Sequence, residues 1–237
     1  MSLSTQFATQ ESALPKRKKE IFIMKIAVVG TGNIGSRLVK RFSSHGVDTI
    51  VIGSDYDKSL ALVNELNKNV EAFQDVNDAL KAADAVVIAL WFDGLKAFVK
   101  EHEEQLKGKI IIDPSNNIAF DEEGNVKSLN PENLSSGQQI AEVVPSDSHY
   151  VKAFGTLPAD QLDATETEDG KKVTLFYATD DVKAGDKVAE VIEKAGWDAV
   201  LVGGVKDTGR IEVFGDLHPF GGLEGKLLSK EEAKAKI

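Results

Sequence analysis

From Met24 onward, short continuous apolar runs alternate with longer stretches whose apolar residues recur every three or four positions. Runs that are apolar on every residue read as strands buried on both faces, the signature of a parallel sheet. Five such runs open the chain: Lys25 to Val29, Thr49 to Ile52, Val70 to Phe73, Ala85 to Leu90 and Ile110 to Asp113. The intervals carry helical spacing. Asn33 to His45 places Ile34, Leu38, Val39 and Phe42 on one face, and Gly46 follows where a C-terminal cap belongs. Lys58 to Asn67 turns Leu60, Leu62, Val63 and Leu66 inward, and Asp75 to Ala82 and Phe92 to Leu106 continue the rhythm.

The stretch from Asn116 to Pro131 is polar and turn-rich, and its length suits a loop bordering a site. Ser135 or Ser136 then caps a helix to Val144, and His149 to Phe154 is a sixth strand. A strand from Lys172 to Ala178, a helix from Val182 to Ala195 and a strand from Asp198 to Val202 follow. Leu217 to Ile237 is turn-rich and then helical. This alternation predicts a Rossmann-type, doubly wound α/β fold: a mostly parallel sheet with helices on both faces. No repeat or linker interrupts residues 24–237, so they are expected to form a single NAD(P)-binding domain with a C-terminal helical segment. Residues 1–23 are polar and aperiodic around Lys16-Arg17-Lys18-Lys19, and are expected to be a disordered or non-native extension ahead of a start at Met24.

Composition narrows the function classes. A formal charge of −10 argues against nucleic acid as a partner. No apolar run reaches the ~18 residues of a membrane span. With no cysteines, disulfides, thiol nucleophiles and thiolate metal sites are excluded, and a cytoplasmic location is the expectation. The four histidines, His45, His102, His149 and His218, show no metal-ligand spacing, so no metal site is expected. His45 and His102 read as surface residues. His218 lies in a turn that could face a site. Ser115 lacks the Gly-x-Ser-x-Gly elbow of a hydrolase.

The candidate chemistry starts at Gly30-Thr31-Gly32-Asn33-Ile34-Gly35, a G-x-G-x-x-G run between the first strand and first helix. In that context Gly30 allows a tight turn, Gly32 lets backbone approach a pyrophosphate, and Gly35 lets the helix pack close. The unpaired amides and dipole of the following helix complete an anion site. Asp55 follows Gly35 by twenty positions, where an acidic side chain takes the ribose diol of NAD and repels a 2′-phosphate. Lys58 could partly offset that repulsion. Either Asp55 or Asp57 could instead cap the helix expected from Lys58, and Asp57 fits the cap better.

The chain resembles the coenzyme F420-dependent NADP oxidoreductases. The resemblance rests on Val29 to Gly35, on Gly53-Ser54 and on Ala89-Leu90-Trp91. It continues through Asp113-Pro114-Ser115-Asn116-Asn117, against the family's Asp-Ala-Thr-Asn-Pro, and Val151-Lys152-Ala153-Phe154-Gly155-Thr156-Leu157, against Val-Lys-Ala-Phe-Asn-Thr. It implies direct hydride transfer between a nicotinamide and a second carrier, with no side chain as general acid or base. It also implies that Thr31, Asn33 and Ile34 contact the pyrophosphate, Ser54 the adenosine ribose and Asn116 the nicotinamide ribose. Leu90 and Trp91 would line the path between the bases, although Trp91 could equally belong to the core. Thr156 and Leu157 would border the second carrier.

Two departures stand out. Asp55 replaces the family's usual Arg, so NADP is the cofactor implied by resemblance while charge favours NAD. Gly155 replaces the usual Asn. The expectation is therefore an NAD(P)-dependent oxidoreductase acting on a small-molecule hydride donor or acceptor, either a flavin-like carrier or a carbonyl-type compound. The alternative is a dinucleotide-sensing protein of the same fold without turnover. A homodimer through the segments around Phe214 and Leu227-Leu228 is a further expectation from the family.

Overall fold

A computed structural model describes residues 24–237. The expected N-terminal extension, residues 1–23, lies outside the described residues. In chain order the first half comprises β1 (Ile26–Val29), α1 (Asn33–Ser44), β2 (Thr49–Ile52), α2 (Tyr56–Asn64) and β3 (Val70–Ala72). It continues with α3 (Val76–Ala82), β4 (Ala85–Ile88), α4 (Phe92–Glu101), α5 (Glu103–Leu106) and β5 (Ile110–Asp113). The second half comprises β6 (Ile118–Phe120), β7 (Val126–Ser128), α6 (Ser136–Ala141) and β8 (His149–Lys152). It ends with β9 (Thr174–Ala178), α7 (Val182–Lys194), β10 (Asp198–Gly203) and α8 (Lys230–Lys234).

Eight strands form one sheet in the order β10-β9-β8-β5-β4-β1-β2-β3. Every pairing from β8 through β3 is parallel. β9 joins antiparallel at Lys152–Ala178, and β10 runs parallel to β9. The fold is thus the expected Rossmann-type α/β sheet, mostly parallel. Alternate residues of each strand feed two cores. Val28, Val51, Val87, Ile112 and Val151 pack against Leu38 and Phe42 of α1 and Val188 and Ile192 of α7. Ala27, Ile50, Val86 and Ile111 face Leu80 of α3 and Leu95 and Val99 of α4. A third cluster, with Phe176, Val200, Leu217 and Leu228, closes the end of the sheet.

Several boundaries differ from the pattern for local reasons. The second helix starts at Tyr56 rather than Lys58, because Asp55 is its N-cap and accepts the Lys58 amide at 3.1 Å. The helix expected through Leu106 breaks at His102, whose φ −112° and ψ 27° leave the helical basin. The polar loop after Asn116 is a hairpin, β6–β7, turned by Asp121, whose Oδ1 accepts the amides of Glu123 and Asn125. Leu227 and Leu228, expected at a dimer surface, pack into this chain's own core, and Leu228 is 3% exposed. Phe214 is exposed.

The sixth strand ends at Lys152, where a buried charge network begins. Lys152, Asp113 and Glu212 are 1%, 0% and 3% exposed. Lys152 Nζ donates to Asp113 Oδ2 at 2.9 Å and to the carbonyl of Ser115, and lies 3.6 Å from Glu212 Oε1. Asp113 also accepts from the Tyr150 hydroxyl at 2.7 Å and the Ser115 amide at 2.7 Å. Burial, and then the Asp113 carboxylate, push the Tyr150 phenol well above its ordinary range, so it remains a donor. Glu212 accepts from the Ser136 amide and hydroxyl at 2.9 and 2.5 Å and from the Gly137 amide at 2.6 Å. One cation therefore fastens the ends of β5 and β8 to the segment around Glu212 and, through it, to α6. Replacing it (Lys152→Met) strands two buried carboxylates and should cost about 3–5 kcal/mol of stability, read by urea unfolding. A loss below about 1 kcal/mol would show that the network is not what holds these elements together.

Candidate active site

In an open α/β sheet, ligands sit beyond the carboxyl ends of the strands where the winding reverses. Here β1 lies between β2 and β4, and the loops leaving β1, β2, β4, β5 and β8 enclose a cleft of about 870 Å³. Its middle is the glycine turn. Gly30 has φ +96°, open to glycine but strained for other residues, and a side chain there would lie 2.6 Å from the Ala89 carbonyl. A side chain at Gly35 would collide with the Gly30 carbonyl, so Gly35 supports the turn from behind and does not line the cleft. A Cβ on Gly32 would meet nothing within 4 Å, which leaves that side of the backbone open. Gly32 is also the N-cap of α1 and supplies no side-chain acceptor to its first amides. The amides keep their capacity for an anion. Thr31, Asn33 and Ile34 line the cleft beside them.

On the β2 side the wall holds Ser54, Asp55 and Lys58. Asp55 does cap its helix, against the expectation that Asp57 would. The Lys58 amide bond holds its carboxyl below the usual range, and Lys58 Nζ stands 3.4 Å from the other oxygen. The carboxylate is thus ionised and still borders the cleft. Phe98 and His102 line the same cleft, their rings 4.5 Å apart. His102 is therefore a cleft residue and not a purely surface one. The i, i+4 spacing of Phe98 and His102 along the helix after β4 was the available signal.

On the other side, the loops after β4, β5 and β8 bring Leu90, Trp91, Asn116 and Leu157 into the cleft, and the segment between β10 and α8 adds His218. Trp91 is 68% exposed and edge-on to Phe120 at 6.4 Å, so it belongs to the rim and not the core. Asn116 lines the cleft, but its amide is engaged on both sides. Nδ2 donates to the Gly155 carbonyl at 3.0 Å and Oδ1 accepts the Val213 amide at 2.9 Å. It braces three segments and keeps one N–H and one oxygen lone pair beyond those two bonds. Thr156 does not reach the cleft as expected; it is 1% exposed, and Phe154 and Gly155 explain why. Phe154 adopts φ +65° and buries its ring against Phe42 and Trp197. That backbone reversal drives Gly155 against Pro114, whose carbonyl any side chain at 155 would strike. The family's usual Asn does not fit this approach. Ser115, given no binding role by its place in the Asp113-to-Asn117 stretch, stands in the wall with a buried hydroxyl that has no partner among the described residues. Phe120, Val213 and Phe220 complete this end and were invisible to motif reading.

Free helix amides, an open glycine face, an ionised Asp55 and the orphan Ser115 hydroxyl suit a dinucleotide lying across the strand ends. Among the described residues no cluster of three metal-ligating side chains occurs, and no helix is long and apolar enough to cross a membrane.

Comparison with known proteins agrees. The family model described as NADP oxidoreductase, coenzyme F420-dependent, matches residues 25–117. A hypothetical protein from Sinorhizobium meliloti superposes with a TM-score of 0.73 at 30% identity, over 87% of this chain and 96% of its own. A proposed F420-dependent NADP-reductase from Arthrobacter sp. FB24 shares the fold with a TM-score of 0.66 at 24% identity, over 78% of this chain and 87% of its own. An imine reductase variant from Myxococcus stipitatus, solved with NAD+, shares it with a TM-score of 0.54 at 18% identity, over 77% of this chain and 55% of its own. No curated protein matches the chain.

His218 gives the site a measurable signature. It is 1% exposed, and burial pushes its imidazolium from the ordinary 6.5 down to about 4. The unfolded chain thus holds one more proton than the folded chain between these two values. The associated stability is complete above about 6.5 and is lost as the pH falls toward about 4. Wild-type protein should lose more unfolding free energy across that window than His218→Phe, as read by urea denaturation at several pH values. Parallel pH profiles would show that the ring titrates normally.

Proposed function

Because the chain belongs to the coenzyme F420-dependent NADP oxidoreductase family, we propose that it transfers hydride between a nicotinamide dinucleotide and a second small molecule in this cleft. The observation that carries the proposal is the cleft's extent. It does not stop at the glycine turn but continues past β4 and β5 to Leu157, Val213 and His218, where a second reactant has room. A dinucleotide sensor without turnover has no need of that space.

The bound nicotinamide supplies the hydride, and the protein's part is positioning. The uncapped amides at the start of α1, beside Thr31, Asn33 and Ile34, would hold the pyrophosphate. Ser54 and Asp55 would take the adenosine ribose, and Phe98 and His102, their rings tilted by 50°, line the same cleft. Leu90 and Trp91 would border the path to the nicotinamide, with Ser115 the free hydroxyl at that end. Asn116 keeps the wall in place through Gly155 and Val213. Leu157 and His218 would face the second reactant, while Thr156 supports the wall from behind. No general acid or base is required of the protein at the hydride step.

Asp55 favours NADH. Its ionised carboxylate accepts hydrogen bonds from a ribose diol and repels a phosphate in the same place, and Lys58 balances that charge from one side only. Fluorescence titration should therefore show NADH bound at least as tightly as NADPH. Asp55→Ser should shift the ratio toward NADPH by roughly three- to tenfold, the scale of removing an exposed like-charge contact. A clear NADPH preference in the wild type would overturn the cofactor assignment. NADH oxidation should be detectable with at least one of a panel of flavin, deazaflavin and quinone acceptors. Tight NADH binding with no turnover on any of them would sink the enzyme reading.

A further inference from the structure

The two ends of the cleft differ in charge. Its formally charged lining residues are Asp55 and Lys58, which follow β2, and Glu101, at the end of α4. Beyond β4 and β5 the walls are Pro114, Ser115, Gly155, Leu157, Val213 and Phe220, with no formal charge among them. The nearby carboxylates of Asp113 and Glu212 are sealed off and bound to Lys152.

Into this uncharged end the chain sets one imidazole. A backbone amide can only donate, and the Phe220 amide meets His218 Nδ1 at 2.9 Å, so Nδ1 is an acceptor and the ring proton sits on Nε2. Nε2 has no partner among the described residues, although the ring lines the cleft. The ring cannot easily turn away. Its backbone is tied by the His218 amide to the Gly215 carbonyl and by its own carbonyl to the amides of Gly221 and Leu223. Gly215, Gly221 and Gly222 each press backbone against backbone with no space for a Cβ. Glu212 and Val213, at the start of this loop, are fastened to Ser136, Gly137 and Asn116.

We propose that His218 is the specificity-determining donor for the second reactant: its Nε2–H selects an uncharged acceptor whose reducible π-system ends in a carbonyl oxygen, over a cationic iminium. This rests on the hydride-transfer reading above. When hydride from the reduced cofactor enters such a π-system, the displaced electron pair moves onto the oxygen, which Nε2–H stabilises by hydrogen bonding. The oxygen then takes a proton from water, and His218 keeps its own. A cationic nitrogen would meet the positive end of the same N–H, and the walls around it, Pro114, Ser115, Gly155, Leu157, Val213 and Phe220, supply no carboxylate.

The test uses the full chain saturated with NAD+, so that binding is read without turnover. Long-range proton–nitrogen correlation spectra of the four histidines, assigned by the signal missing in His218→Gln, should show His218 neutral and protonated on Nε2 at neutral pH. Its signal should shift on addition of menadione or riboflavin and not of N-methylpyrrolinium. His218→Phe should weaken binding of the responding carbonyl compound about tenfold, and His218→Gln, which keeps a donor at a similar reach, should restore most of it. Thermal unfolding of both variants confirms that they are folded. An Nδ1–H tautomer, tighter binding of the pyrrolinium cation, or equal carbonyl affinity in His218→Phe would each overturn the assignment. If NADH is oxidised by menadione equally in wild type and His218→Phe, this assignment falls and the hydride-transfer reading survives. If carbonyl binding needs His218 but no acceptor oxidises NADH, the hydride-transfer reading is the one that fails.

Discussion

A single buried ammonium group holds the second half of the site together. Lys152 sits between Asp113 and Glu212, all three removed from water. Ions in that position are tolerable only when each charge is paired and its remaining hydrogen-bonding capacity is met. Tyr150, Ser115, Ser136 and Gly137 meet it here. The consequence is geometric. β5, β8, α6 and the loop after Glu212 are distant in sequence, yet their positions at the cleft are fixed relative to one another.

The cleft is correspondingly built from close approaches of backbone. Gly35 rests on Gly30, Gly155 on Pro114, and Gly215, Gly221 and Gly222 on neighbouring carbonyls. Phe154 holds a left-handed φ while its ring is buried against Phe42. Such contacts leave little slack in the wall that faces the second reactant. Where catalysis consists of holding two reactants together, that rigidity is the relevant property.

The site also separates its tasks by charge. The β2 end carries Asp55 and Lys58 and suits recognition of a polar ribose. The far end is uncharged apart from hydrogen-bonding groups, so the reacting atoms would meet dipoles rather than ions. The two ends are joined by the uncapped first turn of α1, whose positive end is the natural seat for the linking phosphates.

Much of this was legible in the amino-acid order because it depends on local rules. All-apolar strands, helical spacing and the Gly30-to-Gly35 run are set by residues within a few positions of one another, and they fixed the sheet, its helices and the dinucleotide turn. Asp55 was identified by its offset, though its role as the cap of α2 depended on where the helix began. What tertiary structure alone decided lies where distant segments meet. Asn116 reads as a ribose ligand, and only the fold shows that its amide also ties Gly155 to Val213. Thr156 reads as a site residue until the reversal at Phe154 turns it inward. His102 carries no motif, His218 stands out only by its turn, and Lys152 reads as part of a motif rather than a buried cation. A side chain's burial and partners come from elements tens of residues away, which no spacing along the chain can encode.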